Sequence, residues 1–240
     1  MSFALRDYQR DAFRCVMREL VERGSRRTLV VMPTGTGKTI LFAAVAQAWS
    51  DEGRGRVLVL SHREELVTQA QDKVRRATGL DCGVEMGDAG VDLAALPPVV
   101  SASVQTLSRP SRLARFPSDA FGLIVIDEAH HACADGYAAV MDHFAAARVL
   151  GVTATPDRLD GIGMGRVFPT VAFTYEIRDG KVVISTVVDG FSNPNEADDF
   201  VAEEDFDEYD EADDDDGNGG SKALTKKLEE LKTQALERFD

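Results

Sequence analysis

A lysine and a threonine, Lys38-Thr39, follow two closely spaced glycines in the run Met32-Pro33-Thr34-Gly35-Thr36-Gly37-Lys38-Thr39. Glycines at this spacing let a backbone turn sharply and aim its N–H groups at phosphate oxygens. Behind them, Lys38 is placed to reach the β- and γ-phosphates of a nucleotide and the Thr39 hydroxyl to ligate Mg²⁺. Farther along, Leu123-Ile124-Val125-Ile126-Asp127-Glu128-Ala129-His130 sets two carboxylates at the end of an apolar run. Phosphoryl transfer to water needs one group on the metal and another on the attacking water. Asp127 suits the first role and Glu128 the second, and His130 is placed to pass nucleotide state to a neighbouring domain. The catalytic candidates are therefore Lys38, Asp127, Glu128 and His130. Thr34, Gly35, Thr36, Gly37, Lys38 and Thr39 are the candidate phosphate-binding residues, and Thr39 and Asp127 the candidate metal ligands. The two segments together point to hydrolysis of a nucleoside triphosphate.

These residues need a scaffold that delivers both loops to one place. The apolar run Thr28-Leu29-Val30-Val31 predicts a strand leading into the first loop. An amphipathic helix is expected after it, over 38–50, with Ile40, Leu41, Ala44, Val45 and Ala48 on its apolar side. Met32 stands where the strict phosphate-loop pattern has a further glycine. Continuous apolar runs predict strands near 28–32, 57–61, 99–103, 123–127 and 148–152, with further helices near 63–78 and 137–146 and one over 5–23 before the first strand. Continuous apolar strands alternating with helices predict a parallel sheet covered on both faces. A ligand would then bind at the carboxyl ends of the strands, where the two motifs fall. Trp49, at the end of the first-motif helix, reads as a packing residue.

The order of motifs resembles the first motor domain of superfamily-two, DEAH-type helicases and translocases. Within it the likeness is to type III restriction motor subunits and RadD-like DNA helicases, over about residues 3–178. Leu5-Arg6-Asp7-Tyr8-Gln9 is similar to the adenine-recognition segment, implying that Gln9 reads the base edge. Val57-Leu58-Val59-Leu60-Ser61-His62-Arg63-Glu64-Glu65-Leu66 resembles motif Ia. Val99-Val100-Ser101-Ala102-Ser103-Val104-Gln105-Thr106-Leu107 resembles the next DNA-contacting strand and turn. Gly151-Val152-Thr153-Ala154-Thr155-Pro156 resembles motif III, which in the family links ATP state to nucleic-acid grip, and Asp157-Arg158-Leu159-Asp160-Gly161 continues the pattern. The resemblance implies a P-loop NTPase of RecA-like fold, with ATP and Mg²⁺ as cofactors. It implies nucleic-acid or coupling roles for Arg63, Gln105, Thr106, Thr153, Thr155 and Arg158. DNA, gripped by its backbone without regard to sequence, is the implied partner. Arg109 and Arg112 are further DNA-contact candidates, with solvated surface charge as their plain alternative.

The formal net charge of −14 belongs to one stretch. Residues 196–216 hold 14 of the 41 acidic residues and no Lys or Arg, which leaves 27 acidic against 27 basic elsewhere. A balanced remainder suits nucleic acid only if its cations gather on one face. The expected organisation is a RecA-like ATP-binding domain over 1–178 and an irregular or strand extension over 179–195. A disordered acidic linker is expected over 196–220 and an amphipathic helix over 221–240. No run of eighteen apolar residues or signal pattern occurs, and Cys15, Cys82 and Cys133 are too scattered for a disulfide framework. A cytoplasmic protein with no membrane partner is expected. Such motors close ATP between two RecA-like domains, and residues 181–240 are too few for a second one. A protein partner supplying that domain is therefore expected, with low activity for the chain alone. The alternative is a non-catalytic or partner-dependent nucleotide- and DNA-binding interaction protein with a regulatory acidic tail.

Overall fold

The computed structural model describes residues 4–155, 164–178, 181–189 and 200–201. Nine described strands form one sheet in the order β3-β4-β2-β5-β6-β1-β7-β8-β9. They are β1 Arg27–Val31, β2 Arg56–Ser61, β3 Cys82–Glu85, β4 Val99–Ser103, β5 Phe121–Asp127, β6 Arg148–Thr153, β7 Thr170–Arg178, β8 Lys181–Asp189 and β9 Phe200–Val201. Every pairing from β3 across to β7 is parallel; β8 joins β7, and β9 joins β8, antiparallel. The expected parallel sheet is present, and its helices lie on both faces.

Side-chain alternation along the strands separates two cores. On one face Val30, Val57, Val59, Leu123, Val125 and Val152 pack under helices α1 Asp7–Met17, α2 Lys38–Asp51 and α3 Glu64–Thr78. On the other, Leu29, Leu58, Leu60, Ile124, Ile126 and Val149 pack under the short helices α4 Val104–Leu107 and α5 Pro110–Leu113 and under α6 Asp135–His143. The central strands are buried on both sides, which is why they read as unbroken apolar runs. A seventh short helix, α7 Met164–Val167, precedes β7.

Three elements differ from expectation. Helix α2 is not amphipathic: Leu41, Phe42, Ala43, Ala44, Val45, Ala46 and Trp49 are all buried, while Ile40 and Ala48 are only half-buried. A helix that is apolar all round lies inside the molecule. Burying Phe42 and Leu41 alone contributes about 1.5–3 kcal/mol each. Trp49 ends this helix 4% exposed and donates its Nε1 to Arg54 O at 3.1 Å. The first helix does not run evenly to residue 23; past Met17 it widens into a π turn, Arg18–Glu22. There the buried Glu19 carboxylate accepts from Arg23 at 2.8 Å and from Ser25 Oγ at 2.9 Å. Helix α6 begins two residues before the expected 137 and ends at His143.

Strand β8 falls in the stretch expected to be irregular or strand-like, and Phe200–Val201 pair with it from within the acidic stretch. The rest of that stretch, and the helix expected over 221–240, lie outside the described residues. Among the described residues no helix is long and apolar enough to cross a membrane.

Candidate nucleotide-binding site

Sheet order brings the motifs together. Strands β5, β6 and β1 are neighbours, so the loop after β1 and the carboxylates after β5 flank the end of β6. Thr153, the last residue of β6, is fully buried and touches both. Its carbonyl accepts from Met32 N at 2.9 Å, and its Oγ1 lies 3.3 Å from His130 Nδ1. The same hydroxyl accepts from Thr155 N at 3.3 Å.

The loop turns through Gly35 (φ 85°) and Gly37 (φ 79°), left-handed conformations that favour glycine. Gly37 caps α2, whose first residues are Lys38 and Thr39. Lys38 is 9% exposed and folds back on its own loop, donating from Nζ to Met32 O at 3.2 Å and Pro33 O at 3.3 Å. Thr36 Oγ1 donates to Pro33 O at 2.7 Å, while Thr34 and Gly35 are exposed at the loop's crest. The Gln9 side chain is buried beside the loop. Its Nε2 donates to Thr36 O at 2.8 Å, and its Oε1 accepts from Arg6 N at 3.0 Å. Tyr8 OH donates to the same Thr36 carbonyl at 3.0 Å. A Cβ on Gly37 would fall 2.4 Å from Gln9 Nε2, so a side chain here would push the Gln9 amide off the loop.

Asp127 ends β5 at 9% exposure, and its Oδ1 accepts from Glu128 N at 3.0 Å. Burial, and next the Glu128 charge, push its carboxyl above the ordinary range. Glu128 is the one described non-glycine residue with positive φ (51°), a backbone strain of the kind found at functional sites. Glu128 Oε2 lies 3.3 Å from His130 Nδ1.

The metal test rests on donor chemistry. Asp127 is a buried carboxylate whose ionised form is disfavoured, a state that a divalent cation relieves. Beside it on β2, one step past the Leu60–Ile126 pair, Ser61 Oγ is buried with no hydrogen-bond partner. With the Thr39 hydroxyl at the start of α2, the set is all oxygen, as Mg²⁺ requires. The residues fit the ion.

The nucleic-acid candidates divide. Arg63 is exposed at the start of α3 and donates from Nε to His62 Nε2 at 3.1 Å. Gln105 donates from Nε2 to His62 O at 2.6 Å, joining the turns after β2 and β4. Arg109 is exposed at the start of α5. Thr106, by contrast, is 3% exposed, and its hydroxyl accepts from Gly87 N at 3.0 Å, so it braces a neighbouring turn rather than facing a ligand. Arg112 is likewise engaged, with Glu85 at 2.7 Å and Gly87 O at 2.6 Å. Arg158 lies outside the described residues.

Three residues that sequence reasoning missed complete the picture. Tyr8 was legible only as a neighbour of Gln9. The His62 and His131 rings meet at a tilt with centroids 4.1 Å apart, and His131 meets His130 in the same way at 4.1 Å. Burial and the Arg63 charge push the His62 imidazole below its ordinary range, which keeps it neutral. With Nε2 accepting from Arg63, its buried Nδ1–H has no partner, a cost of about 1–3 kcal/mol. A cleft of about 550 Å³ opens over these rings and reaches Thr34, Arg63, Glu128 and Thr155.

The family model described as type III restriction enzyme, res subunit, matches residues 2–158. IRC3 of Saccharomyces cerevisiae is 35% identical over 182 residues, covering 70% of this chain and 26% of the yeast protein. The type I restriction enzyme EcoAI endonuclease subunit of Escherichia coli is 29% identical over 184 residues, 73% of this chain and 22% of that subunit. The chain thus spans about a quarter of the length of these relatives. Among solved structures, the Hef helicase domain of Pyrococcus furiosus superposes with a TM-score of 0.53 at 27% identity, over 63% of this chain and 33% of that one. The SWI2/SNF2 ATPase core of Sulfolobus solfataricus shares the fold with a TM-score of 0.53 at 18% identity, over 68% of this chain and 35% of its own.

Proposed function

Because the chain belongs to the family of type III restriction enzyme res subunits, we propose that it is the first motor domain of an ATP-driven, DEAH-type DNA helicase or translocase. The observation that carries this reading is the position of Thr153. Its carbonyl holds the start of the phosphate loop and its hydroxyl meets His130, so the loop and the carboxylates converge on one strand end.

In this reading Lys38 leaves the carbonyls of Met32 and Pro33 for the β- and γ-phosphates. Backbone N–H groups of the loop and the start of α2 cradle the same phosphates. Gln9 exchanges Thr36 O for the adenine edge. Thr39 and Asp127 would hold Mg²⁺, whose positive charge would offset that of the phosphoryl oxygens. Glu128 orients the attacking water and takes its proton, and His130 keeps that carboxylate in place from 3.3 Å away. Arg63, Gln105 and Arg109 form the nucleic-acid side, with Thr153 and Thr155 between the two. A similar protein, XPB2 of Sulfurisphaera tokodaii, is named a DNA 3′-5′ translocase, and the Sulfolobus core was solved with double-stranded DNA, which supports DNA as the track. A second RecA-like domain closes the cleft and supplies an arginine worth about 10³–10⁵ in rate, so the isolated chain turns over slowly. The cytoplasm is the proposed compartment, in keeping with its free cysteines.

Phosphate release from Mg-ATP, with and without single-stranded or duplex DNA, tests the reading. Turnover that DNA stimulates and that Lys38→Ala and Glu128→Gln abolish is the expected result. Turnover that survives Lys38→Ala unchanged would overturn it.

A further inference from the structure

Among the described residues, side-chain clusters outside the loop and the carboxylates include the Glu85–Arg112–Arg115 ion cluster, the Tyr8–Tyr175 contact, and a row of imidazoles beside Glu128. His62 belongs to the turn after β2. Its backbone carbonyl accepts from Gln105, which itself accepts from Ser103 Oγ at 2.8 Å, so the turns after β2 and β4 are fastened at one residue. The His62 ring packs on His131 at 4.1 Å with 48° between planes, and His131 packs on His130 at 4.1 Å with 45°. His130 in turn meets both Glu128 and Thr153 at 3.3 Å. Ring packing of this kind passes displacement: if one ring moves, its neighbour has to follow or lose contact. The same row lines the cleft of about 550 Å³, together with Arg63 and Glu128.

We propose that His62 and His131 are positioning residues that couple nucleic-acid grip to the geometry of Glu128. This rests on the motor reading above. Shifting the turn around Arg63 and Gln105 moves the His62 ring. His131, on the tight turn Ala129–His131, follows it and resets His130 against Glu128. Neither residue is assigned a contact with phosphate or with the reacting water. Their contribution lies in the interaction between the two ligands, and by linkage it is the same in both directions.

The test measures that interaction on the full chain. Affinity for a fluorescein-labelled oligo-dT strand is read by anisotropy with and without saturating Mg-ATPγS, and nucleotide affinity is read with and without unlabelled strand. In the unaltered chain each ligand is expected to change the affinity of the other by about fivefold or more. In H131A the two separate affinities stay within about twofold while the coupling falls to near one. H131F keeps a ring in the row and is expected to keep the coupling, which a role in proton transfer or hydrogen bonding would not allow. If H131A does not fold, the comparison of H131Q, which loses the ring, with H131F carries the same decision. Coupling that persists in H131A or H131Q overturns the proposal, as does an unaltered chain that binds both ligands independently. A chain that binds no nucleotide would overturn the motor reading and this proposal with it.

Discussion

Gln9 donates to the carbonyl of Thr36 at 2.8 Å, so a helix near the start of the chain is fastened to the phosphate loop. The side chain that would read a base also braces the loop that would hold its phosphates. Gln9→Ala should therefore lose base discrimination first. With about 1 kcal/mol for the lost hydrogen bond, ADP affinity is expected to fall about fivefold. GDP affinity should stay nearly constant. Isothermal titration with both nucleotides checks this; equal losses for the two would show that Gln9 only braces the loop.

Asp127 gives a pH-dependent outcome. Its folded pKa is raised, so the fold binds the proton more tightly than the unfolded chain does. Its contribution to stability is fully present below the unfolded value of 3.8 and is lost as pH rises through the folded pKa. Near neutral pH the ionised carboxylate therefore destabilises the ligand-free protein. Asp127→Asn is expected to raise the neutral-pH Tm by a few degrees, the scale on which about 1 kcal/mol acts in a domain of this size. The gain should disappear in acid, below both pKa values. Thermal melts at several pH values without Mg²⁺ test the sign, and the same variant should lose hydrolysis.

Glu85 is fully buried between Arg112 and Arg115, at 2.7 and 3.2 Å, and accepts from Val91 N at 3.0 Å. A Cβ on Gly90 would come within 3.0–3.3 Å of Arg112, Arg115 and Glu85, so a side chain there would require the cluster to give slightly. Glu85→Ala strands two arginines and a backbone donor. The cost is expected to be about 3 kcal/mol, at the low end for broken buried pairs because both arginines keep some contact with water. Urea unfolding measures it, and Glu85→Gln, which keeps an acceptor, should lose less.

Salt dependence sorts the two arginines that the sequence could not. Arg109 is exposed, so Arg109→Ala should lower the slope of log affinity for DNA against log salt by about one. Arg112 is held by Glu85, so Arg112→Ala should leave that slope unchanged and lower stability instead. The opposite pattern in anisotropy titrations would reverse the assignment.

What could be read in advance was local. Gly35, Gly37, Lys38 and Thr39 fall within five consecutive positions, and Asp127, Glu128 and His130 within four, and each motif states its own backbone requirement. Unbroken apolar strands likewise declared a sheet buried on both faces. Partners far apart in the chain were hidden. Nothing near Arg112 announces Glu85, and nothing near Thr106 announces Gly87. The burial of α2 was misread because its small residues mimic an amphipathic stripe, whereas the sheet and two neighbouring helices enclose it. The imidazole row escaped because His62 and His131 meet only once β2 and β5 lie side by side.

The chain has a single tryptophan, and its place at the far end of α2 has a practical consequence. Trp49 lies about 16 Å along the helix axis from Lys38, at 1.5 Å per residue. It is sealed in the core, 4% exposed, with its Nε1 donating to Arg54 O. A bound nucleotide would not touch the indole, so its emission should stay constant through a titration and shift to the red only when the core opens. The protein thus carries an intrinsic optical probe of its folded state, against which any change in a labelled ligand's signal can be assigned to binding alone.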